Sequence, residues 1–202
     1  MPEIISIADN ISYLPASKNP LSADVGIIEG QKALWLFDLG NNAEAAEALN
    51  ALKKPKNAVI SHFHSDHLGN LDRVVLSELY LGANTFNYAG RGKIVREDTY
   101  IDDGVKLRIF PLQSSHAKGS LGLEVNGEYA FLGDGVYPGT KNGKACYNAS
   151  VLKEEIAVLK NLEAKYFLLS HDENFVRKKE DVLKDLEDIY SQRNPRESYI
   201  FL

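Results

Sequence analysis

One cysteine, Cys146, is all the chain has, so no intrachain disulfide can form and nothing in its thiols points to an oxidising compartment. The amino-terminal MPEIISIADN lacks both the basic region and the apolar core of a secretory signal. No apolar run approaches the ~20 residues that cross a bilayer. Basic clusters are missing too: the formal net charge is −5, and no lysine/arginine block of the kind that neutralises phosphates occurs. These absences argue against a membrane protein and against nucleic acid as a partner. They leave a cytoplasmic protein acting on a small molecule, with the oligomeric state open. Internal repeats, low-complexity tracts and long linkers are also lacking. The 202 residues, 44% of them hydrophobic, fit one domain spanning 1–202 around one sizeable core.

What is present is a series of strands that end in polar donors. Residues 25–28 and 33–37 are short apolar runs around the turn-like EGQK and read as a hairpin. Asn41-x-x-Glu44 resembles a capping box, and Ala45, Leu49 and Leu52 then recur at helical spacing, so a helix is expected over about 42–53, ended by Pro55. Ala58-Val59-Ile60 is a buried strand leading directly into HFHSDH, which is expected to be a loop. Val105, Leu107 and Ile109 alternate with charged residues. Leu121, Leu123 and Val125 alternate with Gly122 and Glu124 before Asn126-Gly127, a strong hairpin signal. The return strand, 129–132, runs into Gly133-Asp134. A helix follows with Leu152, Ile156 and Leu159 on one face, and Tyr166–Leu169 leads through Ser170 to His171. A last helix over roughly 178–192 turns Val182, Leu186 and Ile189 inward. Strands early and late, each set accompanied by helices, imply an α/β protein with two sheets packed together and helices outside.

All five histidines fall in these strand-end segments: His62, His64, His67, His116 and His171. Imidazole and carboxylate are the donors that borderline divalent metals prefer. A catalytic zinc takes about three protein ligands and a water, whereas His62, His64, Asp66, His67, His116, Asp134 and His171 offer seven donors, enough for two ions. One arrangement places His62, His64 and His116 on the first ion and Asp66, His67 and His171 on the second, with Asp134 bridging.

HFHSDH, SSHAKGS, FLGDGV and LLSHD, in that order, resemble the ligand set of the metallo-β-lactamase-fold hydrolases over most of the chain, from about Val25 to His171. The resemblance implies a four-layer αβ/βα sandwich of two mixed sheets with the site at one edge. The spacing is most similar to hydroxyacylglutathione hydrolase catalytic domains, although only 31 residues follow His171, too few for the helical domain that helps those enzymes hold glutathione. Zinc β-lactamases commonly place a cysteine where Asp134 stands. Flavodiiron proteins usually carry a glutamate at the position of His64, and ribonuclease Z adds an RNA-clamping arm that has no counterpart here.

The implied activity is hydrolysis of an ester, thioester or lactone by a water held between two divalent metals, zinc first, with iron or manganese compatible. Asp66 would both bind metal and orient that water. Tyr137, three positions after Asp134, resembles the tyrosine that N-acyl homoserine lactonases use near the substrate carbonyl, against the plain alternative of a packed ring. In YPGTKNGKACY, Lys144 and Tyr147 are candidate substrate-binding residues, with Lys141 beside them. Asp38 in FDLG resembles the aspartate that orients the ligand loop through hydrogen bonds. A phosphodiesterase or an iron-dependent sulfur dioxygenase is the alternative within enzymes, and a non-catalytic metal-binding sensor or scaffold the alternative outside them.

Overall fold

A computed structural model describes residues 2–202. Two sheets carry the architecture, one of seven strands and one of six. The period-two burial of their strands explains why they stack. In the Leu34–Phe37 strand, Trp35 and Phe37 point into the space between the sheets, while Leu34 and Leu36 point away from it. Val59 points inward between Ala58 and Ile60, which face out. From the second sheet, Leu107, Ile109, Leu121, Leu123, Val125 and Phe131 meet them. The outward faces are apolar as well, and each is covered by helix. Ala45, Ala46, Ala48 and Leu49 of the Ala43–Ala51 helix cover the first sheet. Leu152, Ile156 and Leu159 of Ala149–Lys160, with Val182 and Leu186 of Lys179–Ser191, cover the second. Burial on both faces is why these strands read as near-continuous apolar runs. The result is the expected four-layer αβ/βα sandwich.

The topology sends the donors to one edge. The Leu34–Phe37, Lys56–Ile60 and Glu78–Leu81 strands run parallel. In the other sheet Tyr129–Gly133 and Tyr166–Leu169 are parallel, and Lys106–Leu112 has the same sense because two antiparallel steps separate it from Tyr129–Gly133. Asp38, His62, His116, Asp134 and His171 all follow the carboxy ends of these strands. The Ser61 carbonyl accepts from Leu121 N–H at 2.8 Å, joining the sheets beside the first histidines. Gly133 adopts φ +57°, and a Cβ there would lie 2.8 Å from the Ser61 side chain, so only glycine lets the sheets close at this point.

Several local expectations shift. The first helix is capped by Asn42, whose Oδ1 accepts from Ala45 N–H at 2.7 Å, and not by Asn41. Asn41 instead donates its backbone N–H to Ser22 Oγ, a contact with the preceding hairpin that sequence spacing does not contain. The HFHSDH segment is not wholly loop: residues Ser65–Leu68 form one helical turn. The strands Ile5–Ala8, Ile11–Leu14 and Glu78–Leu81 and the helix Ala83–Ala89 had no counterpart in the sequence reading.

Candidate metal centre

Two groups of donors form at the shared edge: His62, His64 and His116, and Asp66, His67, Asp134 and His171. Within each, the candidate ligand atoms all lie within 4.8 Å of one another. In the first group His64 Nδ1 is 2.9 Å from His62 Nε2 and 3.1 Å from His116 Nε2. In the second, Asp66 Oδ2 is 3.0 Å from His171 Nε2 and 3.4 Å from His67 Nε2. Asp134 joins them, with Oδ2 lying 3.3 Å from His67 Nε2 and 3.4 Å from His116 Nε2.

The surrounding hydrogen bonds set the tautomers. Asp38 is fully buried; it accepts from Ser61 N–H at 2.7 Å and from Ser61 Oγ–H at 2.8 Å. With its proton committed to Asp38, Ser61 Oγ can only accept from His62 Nδ1–H, 3.0 Å away, which leaves His62 Nε2 as a lone pair facing the site. His67 Nδ1–H donates to Asp38 Oδ2 at 2.7 Å, which turns Nε2 toward the site. His116 Nδ1–H donates to the Pro138 carbonyl at 3.2 Å with the same consequence as at His62. Backbone carbonyls and carboxylates behind metal-binding imidazoles fix ring orientation in this way. His64 Nδ1 lies about 3 Å from two lone-pair nitrogens and has at most one proton to give, so at least one lone pair is left facing the site for a cation; zinc with N ligands at ~2.0–2.1 Å spaces such nitrogens roughly 3.3 Å apart. His67 Nε2 and Asp134 Oδ1 are moreover buried with no hydrogen-bond partner. Orphaned buried atoms of this kind are costly, so the residues present fit two divalent cations.

Electrostatics separates the groups. Burial and the neighbouring imidazoles depress His62 far below the ordinary histidine range, and burial with His116 lowers His64. Burial also opposes charge on His67, but the Asp38 and Asp134 carboxylates outweigh it and push its pKa up to about 10. The hydrogen bond to Asp66 raises His171. Burial would raise Asp66, yet its contacts with His171 and His67 hold it below the usual carboxylate value.

Asp24 is a part of this site that spacing did not reveal. Its Oδ1 accepts from Ala16 N–H at 2.9 Å, while Oδ2 accepts from His171 N–H at 3.0 Å and from Ser170 Oγ–H at 3.3 Å. It thereby fixes the backbone of His171, whose φ of +63° is unusual for a side chain of that size. Asp38, at φ +64°, is the other left-handed non-glycine residue of the centre. Such conformations cost on the order of 1–3 kcal/mol and persist where surrounding contacts over-determine them. The available sequence signal for Asp24 was a carboxylate placed directly before the apolar VGII run.

The three outer candidates lie elsewhere. Tyr137 donates its hydroxyl to the Ser170 carbonyl at 2.7 Å, so it braces the His171 loop and does not present a free hydroxyl to a substrate; burial and nearby carboxylates push its pKa up. Tyr147 is only 3% exposed and donates to the Val136 carbonyl at 2.9 Å. Lys144 is exposed on a hairpin of Gly139–Lys141 and Lys144–Asn148, and it does not line the cavity over the donors. The expected cleft loop is instead a small sheet closed by the carboxy-terminal strand Tyr199–Phe201, and this pairing turns Tyr147 into the core. The turn Asn142-Gly143, both at positive φ, was the readable sign of that hairpin. The cavity wall comes from the other end of the chain: Ala16, Ser17, Lys18 and Leu21 stand over His64, Asp66, His116, Asp134 and His171.

A four-layer sandwich with histidine and aspartate donors on its strand ends defines the metallo-β-lactamase fold, and the chain has it. Residues 19–77 match the family model of the metallo-beta-lactamase superfamily. No curated protein matches the chain in sequence. Among solved structures it is similar to the stereoselective inverting sec-alkylsulfatase Pisa1 from Pseudomonas sp., with 16% identity and a TM-score of 0.72 over 97% of this chain and 42% of that one. It is similar to a metallo-beta-lactamase from Pontibacter korlensis, with 15% identity and a TM-score of 0.70 over 96% of this chain and 100% of that one. A mutant flavo di-iron protein from Thermotoga maritima shares 14% identity at a TM-score of 0.70 over 97% of this chain and 64% of its own. The chain spans less than half the length of the sulfatase, and likenesses at these identities concern the fold.

Proposed function

We propose that the protein is a dinuclear metal-dependent hydrolase of carbonyl substrates: an ester, a thioester or a lactone. The reading is carried by Asp134, one carboxylate whose Oδ2 reaches both His67 at 3.3 Å and His116 at 3.4 Å while its Oδ1 is buried without a partner. When bound, two divalent ions would lower the pKa of a shared water toward ~7 and polarise a carbonyl oxygen. His62, His64 and His116 would hold one ion and Asp66, His67 and His171 the other, with Asp134 common to both.

The chain's own residues supply the rest. Asp66, held ionised by His171 and His67, is an acceptor at the cavity floor that can take a hydrogen bond from a water and aim its lone pair at the carbonyl. Asp38 and Asp24 hold the donors in place before substrate arrives, so little reorganisation is needed during reaction. A cavity of about 440 Å³ above the donors suits a small molecule. Histidine and carboxylate donors do not separate zinc from iron or manganese, so metal identity is a matter for measurement.

The test is elemental analysis of the purified protein, followed by a panel of carbonyl esters, thioesters and lactones, with β-lactams, phosphodiesters and sulfate esters alongside, each with and without chelator. Two ions per chain at saturation are expected, with carbonyl hydrolysis abolished by chelation and restored by metal. One ion at saturation, or hydrolysis surviving complete metal removal, would overturn the reading.

A further inference from the structure

The wall of the donor cavity is a short hairpin, Ser17–Lys18 paired with Leu21–Ser22. Its base is fastened on both sides. Asn42 Nδ2 donates to Ser17 Oγ at 2.9 Å, Asn41 N–H donates to Ser22 Oγ at 2.8 Å, and Ala16 N–H is held by Asp24 at 2.9 Å. Ala23 N–H reaches the carbonyl of Asp66 itself at 2.9 Å, so the wall is tied to the floor. Of the nine residues lining the cavity, five are candidate metal ligands, and Lys18 is the sole lysine or arginine. Lys18 is exposed, and its ammonium has no ion-pair partner among the described residues. Leu21, on the opposite strand of the same hairpin, leaves 54% of its surface uncovered at the same cavity. The Ser17 hydroxyl is already engaged, donating to the Pro20 carbonyl at 2.7 Å and accepting from Asn42.

We infer that Lys18 determines specificity by pairing with a carboxylate carried on the substrate, while Leu21 covers the apolar stem between that carboxylate and the reacting carbonyl. A lone ammonium is a single point charge, which a carboxylate monoanion matches, whereas a phosphate monoester at about −2 would leave a charge uncompensated above the two aspartates of the floor. Neither aspartate of the floor pairs with Lys18; their oxygens lie within 3.4 Å of histidine ring nitrogens instead. The substrate class is therefore an acidic ester, thioester or lactone in preference to a neutral one. This rests on the reading of the cavity as the reaction chamber.

The experiment compares 4-nitrophenyl acetate with mono-4-nitrophenyl glutarate, which share a leaving group and differ by a remote carboxylate. Calorimetry with glutarate as a non-reacting probe accompanies it, on metal-loaded wild type, Lys18→Ala, Lys18→Arg and Lys18→Glu. Lys18→Ala should raise KM for the glutarate ester about ten- to a hundredfold more than for the acetate, as loss of one charge-assisted contact does. Glutarate binding should weaken in parallel. Lys18→Arg should restore most of the preference, and Lys18→Glu should invert it, all with unchanged metal content. Hydrolysis of both esters with the same KM ratio in wild type and Lys18→Ala would overturn the inference and leave the hydrolase reading standing. If neither ester reacts, the calorimetry decides: glutarate binding weakened in Lys18→Ala supports the carboxylate contact, and binding that is absent or indifferent to the substitution overturns it, while the hydrolase reading is judged separately on the thioesters and lactones of the wider panel.

Discussion

The two donor groups lie within one carboxylate of each other and are built on different principles. In the group of His62, His64 and His116, burial and neighbouring imidazoles hold His62 and His64 below the ordinary histidine range, while a serine hydroxyl orients His62 and a backbone carbonyl orients His116. Asp66, His67, Asp134 and His171 form a charged group in which carboxylates draw protons onto the histidines, and it is oriented by Asp38 and Asp24. A cation entering the first group meets lone pairs. Entering the second, it must displace a proton before it can bind. The same residue types, a few ångströms apart, thus give one group that is ready for metal and one that exchanges H⁺ for metal.

Asp134→Ala should break the comparison most severely, because it removes the one side chain common to both groups. Metal content should fall from two ions per chain to one, and turnover on carbonyl esters by about a thousandfold, on the order of 4 kcal/mol in the barrier. Two ions retained with near-normal turnover would mean that Asp134 does not link the groups.

Asp38→Ala comes next. His67 would lose its carboxylate directly, and His62 would lose it through Ser61, so both groups should weaken, the charged one by about 10–100-fold in metal affinity. Removing one partner of a buried pair should also lower the stability of metal-free protein by roughly 3–5 kcal/mol. Chelator competition and thermal melts read the two effects separately, and an affinity change confined to the trihistidine group would contradict the assignment.

Acidity should sharpen the contrast. His67 has its pKa raised to about 10, so in metal-free protein it carries a proton at neutral pH, and metal affinity at the charged group should fall by up to about tenfold for each unit that pH drops below that value. The first group, with His62 and His64 lowered, should show little pH dependence above the ordinary histidine value near 6.5. Competition titrations at pH 6.5, 7.5 and 8.5 should therefore give two slopes; a single shared slope would refute the difference.

Tyr137→Phe should have the smallest effect. It deletes the hydrogen bond to the Ser170 carbonyl and keeps the ring, so about 1 kcal/mol of stability and less than roughly tenfold in turnover should be lost, with the charged group the one affected. A loss of a hundredfold or more with normal metal content would show that the hydroxyl leaves Ser170 and contacts substrate.

The sequence by itself determined the layers and the donors. Alternation in Val105, Leu107 and Ile109, the Asn126-Gly127 turn and the helical recurrence of Leu152, Ile156 and Leu159 depend on neighbours a few residues away, and strands, hairpins and amphipathic helices are written at that range. The donors were legible for a related reason: imidazoles and carboxylates crowded at strand ends have few other uses, and parallel strands deliver their carboxy ends to one edge. Tertiary structure alone decided which of those groups are held, and by what. Asp24 meets His171 across 147 positions and Asp103 meets Trp35 across 68, contacts that no local period encodes. The same distance misled the reading of Tyr147, a polar-tipped ring in a glycine-rich segment that turned inward because Tyr199–Phe201 paired with its strand. The cavity wall was likewise out of reach, since Lys18 and Leu21 acquire meaning only when Asp24, Asn41 and Asn42 fasten their hairpin over donors drawn from both sheets. Local pattern fixes what each segment becomes, and which side chains share a site depends on how those segments close on one another, because hydrogen bonds and charges act through space and not along the chain.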